Sequence, residues 1–289
     1  QNNAGSFYYT GTTLYVHTHD GRVPDIDIKP MWERSIWSTT SVNHTLYVEG
    51  SEFWGKNALT MNGSTVNATS KVVAVDCAFR FAPASANAKC DSIRDVRMIR
   101  CVSSDSYEDG FRYTNLSSTF TQRVLEVDCV SKRCGRISGG DFNNNCSTAH
   151  KDVNIIRLNG DYDDAQGPII ADVQGAQSIN LNVLAQNANS SNGDAHVSDA
   201  SFSVGSYGDD DEVTRMWLLS CRASGSGFNR VMSSGGALIS DNAFNGDGTD
   251  SGIILAYEEN NTPVFYDDIT LWFDLDDDLR IDLDTGGIA

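Results

Sequence analysis

Proline is scarce in this chain, five residues in 289, and no stretch keeps its apolar residues at a helical spacing for long. An architecture of amphipathic helices is therefore excluded. No apolar run approaches the ~20 residues that span a bilayer as a helix, so membrane insertion is not expected. Basic residues are few, 21 against 39 acidic ones, for a net charge of −18. Such a surface repels nucleic-acid phosphates and anionic headgroups, which removes nucleic acid from the list of partners. Heavily uronate-bearing glycans meet the same repulsion, leaving neutral or weakly charged ligands. The seven cysteines show no Cys-x-x-Cys or Cys/His spacing, so no zinc site is expected. The acidic stretch 274–284 lacks the central Gly and closing Glu of a calcium-binding EF-hand loop. With no phosphate loop, Gly-x-Ser-x-Gly elbow or Ser-His-Asp ordering either, neither a metal nor any other cofactor is expected.

What is abundant is glycine, 25 residues, together with Asn, Asp, Ser and Thr, and a short phrase that returns along the chain. It reads as two or three apolar positions, a polar residue, then Cys or another buried type. Copies include Leu46-Tyr47-Val48-Glu49-Gly50, Val73-Ala74-Val75-Asp76-Cys77, Arg97-Met98-Ile99-Arg100-Cys101 and Leu125-Glu126-Val127-Asp128-Cys129. Aligning the copies on Gly50, Cys77, Cys101, Cys129, Leu158, Val183, Cys221 and Asn242 gives steps of 27, 24, 28, 29, 25, 38 and 21. A period in this range marks stacked units, none of which can bury its apolar face alone. Each unit carries a second segment after a turn, as in Asp109-Gly110-Phe111-Arg112-Tyr113 and Gly167-Pro168-Ile169-Ile170-Ala171-Asp172. Strand, turn, second strand and returning loop predict an all-β chain, a right-handed single-stranded parallel β-helix of about eight coils. Because Cys77, Cys101, Cys129 and Cys221 share one place in the unit, they are expected as a row of free thiols in the interior.

The ends depart from this pattern. Residues 1–40 form an N-terminal lead-in and cap, with a hairpin over 7–16 closed at Thr10-Gly11; residues 41–260 form the helix. Residues 261–289 carry an out-of-register hairpin, Ile269 to Leu275 against Leu279 to Asp284, in which Leu279, Ile281 and Leu283 alternate with charge. Trp32, Trp37 and Trp54 near the first coils read as core or cap packing.

The opening Phe7-Tyr8-Tyr9-Thr10-Gly11-Thr12-Thr13-Leu14-Tyr15-Val16-His17 resembles the lead-in of phage tailspikes and related right-handed β-helices of bacterial carbohydrate-active proteins. Asp109-Gly110-Phe111-Arg112-Tyr113, Ser147-Thr148-Ala149-His150-Lys151-Asp152-Val153 and Gly167-Pro168-Ile169-Ile170-Ala171-Asp172-Val173 look like segments of the same family. Lys151 interrupts the family's His-Asp pair, and Ile169 stands where its strand motif has Asn. The resemblance implies a homotrimeric spike, on a virion or otherwise extracellular, that binds a bacterial surface polysaccharide and in many members cuts it.

Glycoside hydrolysis needs two carboxyl groups roughly 5–10 Å apart. Coils stacked ~4.8 Å apart bring carboxylates distant in sequence to that spacing. The densest clusters make Glu108, Asp109, Asp161 and Asp163 the candidate catalytic residues, with Glu108 as general acid. Asp105, Tyr107, Tyr113, Arg136, His150, Lys151 and Tyr162 are the candidate substrate-binding residues, the tyrosines as platforms for sugar rings. The expected function is endo-hydrolysis of a surface polysaccharide. The alternatives are a polysaccharide lyase using Tyr107, Arg136, His150 or Lys151, and a non-catalytic receptor-binding spike, for which the departures at Lys151 and Ile169 speak.

Overall fold

The computed structural model describes residues 7–10, 13–16, 38–42, 45–55, 58–63, 69–83, 85–117, 119–135, 144–189, 200–205, 213–232, 236–240, 248–250, 253–256, 281–282 and 287–288. The chain divides into two units, 1–32 and 33–289. In the first, Phe7–Thr10 pairs antiparallel with Thr13–Val16, Phe7 opposite Val16, which is the hairpin the Thr10-Gly11 pair predicts.

The second unit is a parallel β-solenoid, made of three sheets with nine, seven and nine strands in which every neighbour lies one coil away. A coil runs through the first sheet, turns into the second, turns again into the third, and returns. The coil 95–114, for example, is Asp95–Ile99, Val102–Ser104 and Phe111–Thr114. Each strand pairs in parallel with its equivalents before and after it, as Val96 does with Val72 and Val124. About five coils, over residues 71–205, make up the fully enclosed solenoid. That is fewer than the eight expected. Of the expected C-terminal hairpin, 269–275 lies outside the described residues, and the described pairing joins Ile281–Asp282 to Gly287–Ile288.

The corners explain the sequence phrase. Between the first and second sheets each coil turns on one residue with φ near +50°: Gly50, Asp76, Arg100, Asp128, Asn159, Asn182 and Ser220. A single left-handed residue bends the strand sharply while its N–H still reaches the next coil, as Asp76 N does to Ile99 O at 2.9 Å and Arg100 N to Val127 O at 2.8 Å. Left-handed backbone disfavours ordinary side chains and is tolerated best by Gly, Asn and Asp. The corner side chains then stack outside the coil. Arg100 grips Asp76 through two bonds of 2.7 and 2.8 Å, Asn159 donates to Asp128, and Asn182 donates to Asn159.

The residue after each corner enters the lumen. Ladder bonds place Ser51, Cys77, Cys101, Cys129, Gly160, Val183 and Cys221 in this row, so the sequence alignment on Gly50 and Leu158 was displaced by one and two residues. All seven cysteines are buried free thiols. The thiols of the row donate to first-sheet carbonyls of the coil before, Cys101 to Ala74 O at 3.4 Å and Cys129 to Met98 O at 3.3 Å. Gly160 interrupts the row because a Cβ there would collide with the Tyr162 ring.

Among the described residues the lumen is mostly apolar, with buried polar side chains such as Ser103, Gln122 and Ser131 and one charged cluster. Arg157, 0 % exposed, reaches inward from the first sheet and holds Asp172 of the third through bonds of 2.8 and 2.9 Å. It also donates to Ser147 Oγ and Asn180 Oδ1, while Glu126 accepts from Ser147 and from the Tyr162 hydroxyl. Alternate residues of a strand face opposite ways, so the first sheet has a second apolar row on its outer side. Ile99, Leu125, Val127, Ile156, Leu158, Ile179, Leu181, Trp217, Leu219 and Ile239 form this separate cluster, and all are buried within the chain.

Two outcomes follow. Replacing Arg157 with Met strands Asp172 in the lumen and lowers unfolding free energy by about 3–5 kcal/mol, whereas Arg100→Ala, at an exposed pair, costs under ~1 kcal/mol; denaturant melts of both variants measure the contrast. A thiol reagent labels Cys77, Cys101, Cys129 and Cys221 only on unfolding, and fast labelling of the native chain contradicts the lumen row.

Candidate functional site

The third sheet turns its odd and even positions to different worlds. Inward go Leu59, Met61, Ala88, Cys90, Phe111, Tyr113 and Ala149, all in the core. Outward goes a polar-x-polar pair from each of four successive strands: Thr60 and Asn62, Lys89 and Asp91, Arg112 and Thr114, Thr148 and His150. Strand register aligns them in two rows, Thr60–Lys89–Arg112–Thr148 and Asn62–Asp91–Thr114–His150. At the strand spacing of ~4.8 Å the rows run about 14 Å along the solenoid.

The charges on this face are matched locally. Lys89 meets Asp91 at 3.1 Å, and Arg112 meets Glu108 at 3.6 Å. Thr148 lies 3.0 Å from His150 Nε2 and donates to Ala171 O at 2.7 Å. Burial, with the Arg112 guanidinium adding to it, pushes the His150 pKa down to about 4, so the ring is neutral at physiological pH. Among the described residues, five buried polar atoms on the face have no hydrogen-bond partner: Thr60 Oγ1, Asn62 Oδ1, Asp91 Oδ1, Arg112 Nε and Thr114 Oγ1. Buried polar atoms are paired in the great majority of cases, so five orphans on one face is a concentrated deficit.

The turn leading onto this face holds the Asp-Gly-Phe motif. Asp109 is buried and accepts the Asn145 N–H at 2.8 Å; desolvation drives its pKa up to about 7 against the pull of Arg112. Gly110 is required because a Cβ would strike Ser131 Oγ and the Cys146 carbonyl. Glu108 is half-buried and points its carboxylate at Arg112, and Tyr107 beside it is 37 % exposed.

The other candidates lie elsewhere. Asp161 and Asp163 sit on the outer side of the second sheet, where Asp161 pairs with Lys132 at 3.1 Å and Asp163 accepts from Asn187. Among the described residues no hydrogen bond or ion pair joins them to Glu108 or Asp109, so the two pairs of carboxyls are not tied into one cluster. Asp105 is a corner residue held by Arg133 through two bonds of 2.6 and 2.8 Å, which lower its pKa. Lys151 is an exposed left-handed residue in the corner after the third sheet. Tyr113 and Tyr162 are lumen residues at 0 % exposure, and burial raises both pKa values. Neither ring can serve as an outside platform for a sugar, since the alternation of Asp161-Tyr162-Asp163 sends the aromatic inward. Arg136 lies outside the described residues. Among the described residues no group of three or more His, Cys, Asp or Glu is placed to hold a metal ion.

Sequence reasoning missed Lys89, Asp91, Arg112, Thr114, Thr60 and Asn62. Their signal was the polar-x-polar spacing in the third strand of successive coils, which becomes visible once that strand is in register. No family model matches the chain, and neither a curated protein nor a solved structure matches it.

The two shifted groups give opposite pH trends. The unfolded chain protonates His150 near 6.5 but the folded chain only near 4, so stability falls as pH drops through that window. Asp109 loses its proton near 4 when unfolded and near 7 when folded, so its contribution falls as pH rises from 4 to 7. His150→Gln therefore flattens the acid side of a melting-temperature profile against pH, and Asp109→Asn flattens the side approaching neutrality.

Proposed function

We propose that this β-solenoid binds a neutral surface polysaccharide along the outer face of its third sheet. The observation that supports this most is the set of five unpartnered polar atoms in two registered rows. A polyhydroxylated chain laid across the coils offers donors and acceptors at the repeat those rows require. The local balance of Lys89 with Asp91 and Arg112 with Glu108 suits a ligand without net charge, and the overall charge of −18 disfavours an anionic one. On this reading the partly exposed Lys89 and Arg112 side chains swing aside to admit hydroxyls to Thr60, Thr114 and Asn62. The resemblance to tailspikes adds a homotrimer on a virion or in the extracellular space, assembled through a surface other than the covered stripe of the first sheet.

A second reading, endo-hydrolysis at the same face, is favoured by Asp109, next to Glu108 in the chain, whose carboxyl holds its proton to about pH 7. A carboxylic acid that stays protonated near neutrality is the state a general acid needs. A lyase is disfavoured by the net charge of −18, which repels the uronate carboxylate that such a reaction requires.

Titration with neutral capsular glycans tests binding. Arg112→Ala and Thr114→Val each weaken the interaction about tenfold or more with little change in melting temperature; unchanged affinity in both removes the third sheet from the site. If the glycan is also cut, new reducing ends appear and Asp109→Asn, which removes the protonated carboxyl, slows their release by a factor of ~10²–10⁴. Sedimentation of the full chain as a stable monomer removes the trimer.

A further inference from the structure

The second corner of the coil, between the second and third sheets, also turns on left-handed residues, and Phe81 is the one large apolar side chain among them, at φ 59°. Its counterparts one and two coils on are Asp105 and Arg133, which bind each other, and the end coils use Gly55 and Gly225. A bulky residue in left-handed backbone is a strained choice, and such strain collects where function holds it. The Phe81 ring is half-exposed and meets Trp54 edge-on, centroids 5.2 Å apart at 63°, with Trp54 36 % exposed. Tyr107 is another exposed aromatic, and its backbone N–H bonds the carbonyl of Ala82, the residue after Phe81, at 2.8 Å.

We propose that Trp54 and Phe81, extended by Tyr107, form a stacking subsite for the C–H face of a neutral pyranose. Aromatic faces carry negative charge density that attracts polarised C–H groups. A sugar ring also needs planar hydrogen-bonding groups at its rim, and these are present. Arg80, the register neighbour of Trp54, holds Glu52 at 2.7 Å and Ser104 at 2.8 Å on the same outer side of the second sheet. Two touching rings make a footprint far smaller than the ~800 Å² per partner of a stable protein interface, so a sugar fits where a second protein does not. Tyr107 leads directly to Glu108 and Arg112, so a glycan stacked here continues onto the third-sheet face. The subsite rests on the reading of this chain as a glycan binder and adds where that glycan is anchored.

The test uses the full chain and neutral hexasaccharides of glucose, galactose, mannose and rhamnose, with affinity read by calorimetry and the indole environment by fluorescence. Phe81→Asn installs a residue at home in left-handed backbone, so its melting temperature holds or rises while affinity falls at least tenfold. Trp54→Ala loses both the affinity and the ligand-induced fluorescence change. Affinity kept in these two variants but lost in Arg112→Ala overturns the stacking subsite and leaves the third-sheet reading standing. Affinity lost in the two aromatic variants but kept in Arg112→Ala supports the subsite and overturns that reading. If none of the sugars binds the wild-type chain, both are overturned, and a lowered melting temperature in Phe81→Asn assigns the ring to packing.

Discussion

Everything in this solenoid depends on one backbone constraint, the left-handed residue that turns the chain from the first sheet into the second. A longer corner would let successive coils slip. A one-residue corner fixes their phase, so the ladder of N–H to C=O bonds continues around the bend and each residue stands above its equivalent. From that registration come the thiol row, the outside stack of Asp76 on Arg100 and Asn159 on Asn182, and the rows on the third sheet. The backbone strain at each corner is offset by what the registration then permits: bidentate ion pairs outside and a closed apolar lumen within.

Much of the fold was legible because a parallel coil writes its period into the sequence. The first-sheet strands are apolar on both faces, lumen and covered exterior, so they read as runs such as Val73-Ala74-Val75 and Asn154-Ile155-Ile156 rather than as clean alternation. That made the repeat conspicuous. It also hid the register: at Asn159-Gly160 and Gly50-Ser51 the corner lacks a following cysteine, and an alignment anchored on cysteine slid along the strand. The corner residue itself was the better anchor, since its backbone demand selects Gly, Asn and Asp, yet Arg100 and Ser220 occupy it too and weaken that signal.

The site was less legible for a physical reason. Dense acidic turns were natural candidates, but turn carboxylates in this solenoid mostly satisfy neighbours: Asp105 holds Arg133, Asp163 accepts from Asn187, and Asp109 caps the Asn145 amide. Tyr113 and Tyr162 resembled surface aromatics only while the pleat was unknown; period-two alternation sends both into the lumen. What distinguishes the third-sheet face is an unmet demand for hydrogen bonds, and that depends on which atoms pack over which. No spacing in one dimension reveals it.

The buried cluster around Arg157 has a consequence for how the rod comes apart. It draws Glu126 and Ser147 from one coil, Tyr162 and Asp172 from the next, and Asn180 from the one after, so three consecutive coils share a charge that none can hold alone. In a linear array whose stability is a sum of unit and nearest-neighbour terms, this makes the coupling uneven along the axis. The coils that share the charge therefore open as a single block or not at all. Partial digestion of such a rod leaves a resistant central fragment over roughly residues 122–181, trimmed from both sides and stopping where the shared charge begins.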